Sequence, residues 1–307
     1  MEMQIVPAPG WARLANELLR EKGTAILLGA ADSGKSTLAR YLLESLLRKS
    51  ASVCLVDCDV GQSVLGLPGT ITSAVFKHPS DLSRFRPQGI FFVGSDNPAK
   101  SMGGMIEGAA RMAALCKKKK ADITLVDTTG LISGWAGKAL KTGKVRRLKP
   151  RHIMAIERKG ELEQILSAMK ALPPEDGKGV RVHRLRPSEH AHNTGRLRRA
   201  SYREKKFRDY FSGATVIKFP FEKVRFFRKG RALDIKAALE PDGEVKPGCL
   251  AGLGWGEEET LGLGIFEGVD PSGVVIMTPV SLARARRVDR ISFGEIMAGD
   301  FLAARKK

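Results

Sequence analysis

Apolar residues follow two different periods in the first two thirds of the chain, and the elements they predict alternate. Short apolar runs predict buried strands at residues 24–28, 52–56, 89–93, 123–126, 152–156 and 180–185. Apolar positions spaced three and four apart predict helices over residues 12–21, 36–47, 106–117, 161–172 and 195–211. Strands that alternate with helices favour a parallel sheet that is covered on both faces.

The pattern changes near residue 220. Beyond it, strand-like runs at residues 232–235, 249–253, 260–266, 273–277 and 288–293 are separated by turn sequences such as Asp270-Pro271-Ser272-Gly273. The 307 residues are enough for two domains of ordinary size. We therefore predict one domain over residues 1–220 and a small β-rich domain over residues 221–307.

The segment between the first predicted strand and the following helix fits the phosphate-loop (P-loop) pattern G-x-x-x-x-G-K-[ST]. Its residues are Gly29, Ala30, Ala31, Asp32, Ser33, Gly34, Lys35, Ser36 and Thr37. Backbone N–H groups and the helix N-terminus hold phosphate oxygens in such loops. We expect Lys35 to reach the β- and γ-phosphates of ATP, Ser36 to ligate Mg²⁺ and Thr37 to support the α-phosphate. The predicted fold class is α/β, a P-loop NTPase with helices flanking a parallel sheet, plus the β-rich domain.

Carboxylates follow the next strands. Asp57 and Asp59 end one predicted strand, and Asp127 with Thr128 ends another, at the edge where parallel sheets bind ligands. One member of the first pair can serve Mg²⁺, for which Asp59 is a candidate beside Ser36, and either can accept a proton from an attacking hydroxyl. Asp127 starts an Asp-x-x-Gly motif, which in phosphate-loop enzymes senses metal or γ-phosphate. We therefore expect Asp127 and Thr128 to bind the nucleotide.

Positive charge exceeds negative charge by 19, and much of the excess is clustered. Residues 181–208 hold ten Lys and Arg against two Glu, residues 138–151 hold seven without an acid, and residues 117–120 are all Lys. Such clusters favour a polyanionic substrate in addition to ATP. We expect residues 184–212 to form a basic lid that neutralises the transferring phosphoryl group. Arg199 and Arg203 share one helix face there, and Arg196 and Arg198 are the alternatives.

The cysteines and the apolar runs bear on the cellular location. None of Cys54, Cys58, Cys116 and Cys249 forms a Cys-x-x-Cys pair, and we expect buried free thiols in a reducing cytoplasm. No apolar run approaches the roughly 18 residues that a membrane span needs. The chain does not start with the pattern of a secretory signal. We therefore expect a cytoplasmic protein without a membrane partner.

Taken together, these motifs resemble the polynucleotide 5′-hydroxyl kinase family. That family includes the kinase subunit of the eukaryotic pre-mRNA cleavage factor, the kinase of ribosomal-RNA spacer processing and archaeal relatives. The resemblance rests on the phosphate loop, Asp57-x-Asp59-x-Gly61-Gln62, Pro68-Gly69-Thr70, Asp127-Thr128-Thr129-Gly130 and Arg199-x-x-x-Arg203. It extends into the C-terminal residues, for example Thr278-Pro279-Val280.

The resemblance implies transfer of the γ-phosphate of ATP to the 5′-hydroxyl of RNA or DNA. It implies that Asp57, Asp59 and Gln62 serve the metal and the attacking hydroxyl. It also implies a clasp on the Lys35 side of the site, formed by Pro68, Gly69 and Thr70, and a lid that contributes Arg199 and Arg203. Eukaryotic members tend to have Trp where this chain has Leu131, and we expect Trp135 to be a packing residue.

Two other functions are compatible with the same sequence. A non-catalytic ATP-binding scaffold of an RNA-processing complex would also have a phosphate loop, but the intact Lys35, both acids and both lid arginines argue against an inactive site. A small-molecule kinase would share the loop as well. The excess of 19 positive charges and the β-rich domain argue against that function.

Overall fold

This computed structural model describes residues 5–170, 179–188, 195–240, 242–256 and 259–302. The elements up to residue 185 are α1 (Trp11–Arg20), β1 (Gly23–Gly29), α2 (Lys35–Arg48), β2 (Val53–Cys58), β3 (Thr70–Phe76), β4 (Gly89–Phe92), α3 (Met102–Lys118), β5 (Ile123–Thr128), α4 (Gly134–Leu148), β6 (His152–Ile156), α5 (Glu163–Lys170) and β7 (Arg181–Leu185). The remaining elements are α6 (Arg196–Phe211), β8 (Thr215–Pro220), β9 (Arg225–Arg228), β10 (Arg231–Ala232), α7 (Ile235–Ala238), β11 (Cys249–Trp255), β12 (Glu259–Asp270), β13 (Gly273–Thr278), α8 (Leu282–Ala285), β14 (Arg290–Met297) and α9 (Gly299–Leu302).

The chain forms two compact units, and each is assembled from three separate stretches. The first unit comprises residues 1–59, 71–89 and 105–194, and the second comprises residues 60–70, 90–104 and 195–307. Helix α6 and strand β8 precede residue 220 and belong to the second unit. The division into domains at residue 220 stays a prediction.

In the first unit, the strands lie in the order β3-β2-β5-β1-β6-β7. Every neighbouring pair is parallel except β2 with β3. Helix α2 packs on β1, β2 and β5. Its Leu38, Leu42 and Leu46 recur every four residues and are fully buried, as a helix with one apolar face requires. The predicted α/β class is confirmed for this unit.

The patterns miss two elements of the first unit. Strand β3 (Thr70–Phe76) carries Thr70, Thr72 and Ser73 among its apolar residues, and these buried hydroxyls interrupt the apolar run that would predict a strand. Helix α4 (Gly134–Leu148) contains five of the basic residues of 138–151, so its sequence does not read as a packed helix. Polar residues that are buried in the structure are the common cause.

In the second unit, seven strands lie in the order β10-β9-β14-β11-β12-β13-β8. Neighbours are antiparallel except β9 with β14, which are parallel. Apolar side chains cover both faces of the sheet. Phe226, Phe266 and Phe293 belong to one core, and Phe207 and Phe211 of α6 belong to the other. The predicted β-rich part of the chain is confirmed.

The strand predicted at 232–235 is wrong. Only Ala232 of that range is in a strand, and helix α7 begins at Ile235. The side chain of Asp234 accepts a hydrogen bond from the backbone N–H of Lys236 at 3.0 Å, which caps the helix. An N-cap residue therefore overrides the strand propensity of the preceding residues.

A disulfide joins Cys54 of β2 to Cys116 of α3. The expectation of free thiols is therefore wrong for this pair, which is 62 residues apart in sequence and gives no local spacing signal. Cys58 and Cys249 are free and buried. Burial raises the pKa of each of these two thiols to about 11.

The apolar elements stay short throughout the part of the chain that the structure describes. Among those residues, no helix has both the length and the apolar character needed to cross a lipid bilayer.

The cysteine assignments predict a stepwise thiol count. In the folded protein at pH 8, Cys58 and Cys249 should not react with Ellman's reagent, because burial excludes the reagent and a pKa near 11 leaves little thiolate. Unfolding without a reductant should expose two thiols per chain, and unfolding after reduction should expose four. Four reactive thiols in the unreduced, unfolded chain would contradict the disulfide.

Candidate active site

The phosphate loop connects the carboxyl end of β1 to the amino end of α2. Gly34 has φ 88°, a left-handed backbone that side chains rarely adopt, and α2 begins at the next residue. Lys35 is 6% exposed, and its Nζ donates a hydrogen bond to the carbonyl of Ala30 at 2.6 Å. Burial lowers the pKa of Lys35, and the carboxylates of Asp127 and Asp59 oppose that change. Carboxylates therefore already balance part of the positive charge of this lysine.

Ser36 and Asp127 meet at the edge formed by α2 and β5. The Ser36 hydroxyl donates a hydrogen bond to Oδ2 of Asp127 at 2.6 Å. The other carboxylate oxygen, Oδ1, is buried and has no hydrogen-bond partner among the described residues. A buried, unsatisfied carboxylate oxygen beside a serine hydroxyl has the oxygen chemistry that Mg²⁺ prefers. These residues therefore fit the predicted metal, and Asp127 is the carboxylate that the structure places at Ser36.

Asp57 and Asp59 differ in their surroundings although they are two residues apart. Strand β2 ends at Cys58, so the extended backbone does not continue to Asp59. Asp57 is 2% exposed, and its Oδ1 accepts a hydrogen bond from the backbone N–H of Asp59 at 3.0 Å. Asp59 is half-buried and interacts electrostatically with Lys35. Asp57 thus holds the backbone at Asp59, whose carboxylate is the more accessible of the two.

The Asp-x-x-Gly motif packs directly against the phosphate loop. The Thr128 hydroxyl donates to the carbonyl of Leu27 in β1 at 2.6 Å, so it bonds within the fold. Gly130 lies so close to the loop that a Cβ atom there would be 2.4 Å from the backbone nitrogen of Ala31. No larger residue fits at Gly130 without displacing the loop. The position of this motif and the shape of the loop are therefore linked.

Lys141 of α4 is a site residue that the sequence analysis did not single out. Its side chain is fully buried, and its Nζ donates to the Thr128 hydroxyl at 2.8 Å and to the Thr129 carbonyl. The spacing of Gly137, Lys141 and Lys144, four and three apart, puts them on one helix face, but only the structure shows that this face is buried.

The predicted clasp residues lie in the second unit, in the stretch 60–70. Gly69 has φ 80°, and its carbonyl accepts hydrogen bonds from the N–H groups of Val93 and Gly94 at 2.9 and 3.0 Å. Thr70 is buried, and its hydroxyl donates to the carbonyl of Leu67 at 2.7 Å. Pro68 is buried and Gln62 is half-buried. Residues 60–70 form a defined loop, and their predicted role toward ATP stays a prediction.

Helix α6 carries the predicted lid arginines and is bonded to the loop 60–70. The Tyr202 hydroxyl donates to the carbonyl of Ser63 at 3.0 Å. Lys206 donates to the carbonyls of Val64 and Gly66 at 2.8 and 3.2 Å. The lid helix therefore bonds to the part of this loop that precedes the predicted clasp residues Pro68, Gly69 and Thr70.

The lid arginines themselves have different environments. Arg199 and Arg203 are half-buried, whereas Arg198 is exposed. Arg203 lies 3.8 Å from Asp96 and lines a cavity of about 220 Å³ that Pro68 also lines. The side chain of Arg196 and residues 189–194 of the predicted lid lie outside the described residues. The structure thus brings Arg203 and Pro68 to one cavity within the second unit.

Some basic residues of the predicted clusters are ion-paired or buried. Arg184 of β7 is exposed and forms ion pairs with Glu157 and with Glu163. Lys141 and Lys144 of the 138–151 cluster are fully buried. The reading of those two positions as polyanion-binding surface is therefore wrong, because they belong to the packed face of α4.

Trp135 lies at the start of α4 and is 75% exposed. The expectation that Trp135 packs in the interior is therefore wrong. The left-handed Gly134 at φ 66° begins the helix and leaves the next side chain outside the packed face.

The buried Asp127 predicts an unusual dependence of stability on pH. Burial raises the pKa of Asp127 from 3.8 to about 6, although Lys35 and Ser36 lower it. The folded state then holds the proton more tightly than the unfolded state does. Below about pH 4 the carboxyl is protonated in both states and its ionisation costs no stability. As the pH rises to 6 and above, the folded protein loses stability because this buried group must ionise. Asp127→Asn should stabilise the nucleotide-free protein by up to about 3 kcal/mol at pH 8, and the gain should shrink between pH 6 and pH 4. Urea unfolding at several pH values measures this.

Asp122→Asn is the control, because its effect on the free energy of unfolding at pH 8 should have the opposite sign. A hydrogen bond from Lys22, and another from the backbone N–H of Ser52, lower the pKa of Asp122. Its carboxylate therefore stabilises the folded state at pH 8, and that contribution is lost as the pH falls through the lowered pKa. A stability change in Asp127→Asn that is the same at every pH would contradict the assignment.

Curated relatives share about two thirds of this chain. A protein of Pyrococcus furiosus named polyribonucleotide 5′-hydroxyl-kinase is 37% identical over 207 residues, which are 67% of this chain and 55% of that protein. A protein of Methanocaldococcus jannaschii with the same name is 38% identical over 200 residues, or 65% of this chain and 53% of that protein. This chain spans about half the length of the curated relatives it matches.

A solved structure and a family model also match this chain. A chain in the structure of a wild-type Clp1p–Pcf11p complex superposes with a TM-score of 0.67 over 94% of this chain and 78% of that chain, at 12% identity, which shows a shared fold. Residues 29–213 match the family described as mRNA cleavage and polyadenylation factor CLP1 P-loop. The predicted P-loop fold and the resemblance to this group of kinases are thereby confirmed. Because the match covers more than half of the 307 residues, this chain belongs to the CLP1 P-loop family.

Proposed function

We propose that this chain is an ATP-dependent polynucleotide 5′-hydroxyl kinase, which transfers the γ-phosphate of ATP to the 5′-hydroxyl of RNA or DNA. The observation that carries the proposal is the cluster of Lys35, Ser36 and Asp127 at the phosphate loop, with Asp59 beside Lys35. The names of the archaeal relatives support the acceptor, a polynucleotide 5′-hydroxyl. A cytoplasmic location is part of the proposal, since ATP and polynucleotides are intracellular compounds.

ATP and Mg²⁺ are the ligands that the first unit would take. The backbone of the loop and the N-terminus of α2 would hold the phosphates. Ser36 and Asp127 are the residues that would hold Mg²⁺, and Asp59, the other metal candidate from the sequence, would then act as the base. Bound there, Mg²⁺ would neutralise charge on the β- and γ-phosphates.

The proposed transfer needs a base and a source of positive charge. Asp59 accepts the proton of the 5′-hydroxyl, and the oxygen forms its bond to the γ-phosphorus as the bond to the β–γ bridging oxygen breaks and ADP leaves. Asp57 holds the backbone at Asp59 through the hydrogen bond described above. Lys35 stabilises the charge on the phosphate oxygens. In this proposal, the predicted lid arginines Arg199 and Arg203 also neutralise negative charge on the transferring phosphoryl group.

Exposed basic residues support a polynucleotide over a small-molecule acceptor. The four lysines of 117–120 and the helix residues Arg198 and Lys205 are exposed. Positive side chains in this state can neutralise backbone phosphates, and a small alcohol has no phosphates that require them. Contacts of this kind position a strand without reading its sequence, so little sequence preference is expected.

Phosphate transfer from γ-labelled ATP tests the function directly. With Mg²⁺ and matched 5′-hydroxyl RNA and DNA oligonucleotides, the label should appear on the oligonucleotide, and 5′-phosphorylated oligonucleotides should stay unlabelled. Lys35→Ala should abolish transfer. Asp59→Asn should lower the rate by about 10³-fold or more and leave ATP binding measurable, because the base acts only in the chemical step.

The controls separate the alternatives. If Asp57→Asn alone has the effect expected of Asp59→Asn, the roles of the two carboxylates are reversed. ATP binding without label on any oligonucleotide would reject the proposal. Label on a nucleoside would then indicate a small-molecule kinase, and no acceptor at all would indicate a scaffold.

The bonds between α6 and the stretch 60–70 generate a second prediction. Lys206 donates to two carbonyls of that stretch, whereas the neighbouring Lys205 is exposed. Lys206→Met and Lys205→Met each remove one positive charge, so both should weaken oligonucleotide binding similarly. Only Lys206→Met should lower kcat, by about tenfold or more, because a small displacement of positioning groups is costly in rate. Equal kcat values in steady-state assays of the two variants would contradict a role of this contact.

A further inference from the structure

Lys141 is a lysine that the fold buries completely beneath the nucleotide site. Its Nζ donates to the Thr128 hydroxyl at 2.8 Å and to the carbonyl of Thr129, and it lies 3.4 Å from the Thr129 hydroxyl. All of these acceptors belong to the Asp-x-x-Gly motif that follows Asp127. A single side chain of α4 thus fixes both residues between Asp127 and Gly130.

Residues 128–130 in turn contact the phosphate loop and the strand that leads into it. Thr128 passes on a hydrogen bond to the carbonyl of Leu27 in β1, the strand that leads into the loop. Gly130 meets the backbone of Ala31 so closely that an added Cβ would be 2.4 Å from its nitrogen. A shift of Thr129 or Gly130 therefore has to move Ala31, a residue of the loop, or break a backbone contact.

Burial and neighbouring positive charges disfavour a charged lysine at position 141, so the presence of Lys141 there needs a physical reason. Burial lowers the pKa of Lys141 well below its usual value, and the charges of Lys144 and Lys35 act in the same direction, while Asp59 and Cys58 oppose them. A buried apolar side chain avoids the desolvation cost of an ammonium group. Hydrogen bonding is what distinguishes Lys141 from Lys144, which is equally buried and whose Nζ has no hydrogen-bond partner among the described residues.

We propose that Lys141 is a positioning residue for nucleotide binding, which acts through Thr128, Thr129 and Gly130 to hold the phosphate loop in its binding shape. Lys141 itself touches no phosphate in this assignment. The inference deepens the proposed function and rests on it only for the identity of the ligand, ATP with Mg²⁺. It requires neither phosphate transfer nor a polynucleotide.

Calorimetric titration with ATP and Mg²⁺ tests the proposal on Lys141→Met, with Lys144→Met as the matched control. Both variants remove one fully buried lysine amine from α4, and only the first removes hydrogen bonds to the motif. Lys141→Met should weaken ATP binding at least tenfold, and Lys144→Met should leave the dissociation constant within about twofold of the wild type. The melting temperature of each nucleotide-free variant shows whether it is folded.

A second variant keeps the test decisive if Lys141→Met does not fold. Lys141→Gln keeps N–H donors on a shorter side chain that cannot reach all three acceptors, and it should weaken ATP binding between threefold and tenfold. Wild-type affinity in a folded Lys141→Met, or in Lys141→Gln when only that variant folds, would overturn the proposal. Equal weakening by Lys144→Met would overturn it as well, because loss of any buried lysine of α4 would then suffice. Transfer assays are not needed, so failure of the proposed kinase activity is a separate outcome.

Discussion

Charge buried at the carboxyl ends of β1, β2 and β5 is the constraint on which the first unit depends. Lys35, Asp57, Asp127, Lys141 and Lys144 are all at most 6% exposed. Ions removed from water are costly unless charges and hydrogen bonds compensate them. The sheet brings the residues together because parallel strands end at one edge, so the fold that creates the crevice also creates the electrostatic problem.

The way in which this charge is balanced prepares the site for a metal–nucleotide complex. Lys35 bonds to a carbonyl of its own loop, and Ser36 bonds to one oxygen of Asp127, whose other oxygen has no hydrogen-bond partner in the described part of the chain. A triphosphate alone would add negative charge next to carboxylates, and a divalent cation alone would add positive charge next to Lys35. The two together disturb the balance least, which gives a physical reason for the joint use of ATP and Mg²⁺ in the proposed reaction.

Sequence reasoning found what is contiguous in the chain. The phosphate loop and the Asp-x-x-Gly motif are local patterns whose geometry follows from a strand, a turn and a helix. Lys141 escaped notice because a lysine in a basic stretch is usually solvated, and only the helical spacing of the buried face contradicts that reading. The disulfide and the bond from Tyr202 to Ser63 join residues that are 62 and 139 positions apart. No local signal encodes such pairs, because they arise from the packing of helices α3 and α6 against distant parts of the chain.

The interleaving of the two units governs how the chain can be cut or synthesised. The chain passes from one unit to the other five times between residue 1 and residue 307, so no single truncation isolates either unit intact. A fragment that ends at residue 194 would contain the whole first unit together with two orphaned pieces of the second, residues 60–70 and 90–104. On the ribosome, those two pieces emerge before the strands with which they will pack. The second unit therefore completes its fold only after residues 195–307 have been synthesised, long after its first two pieces.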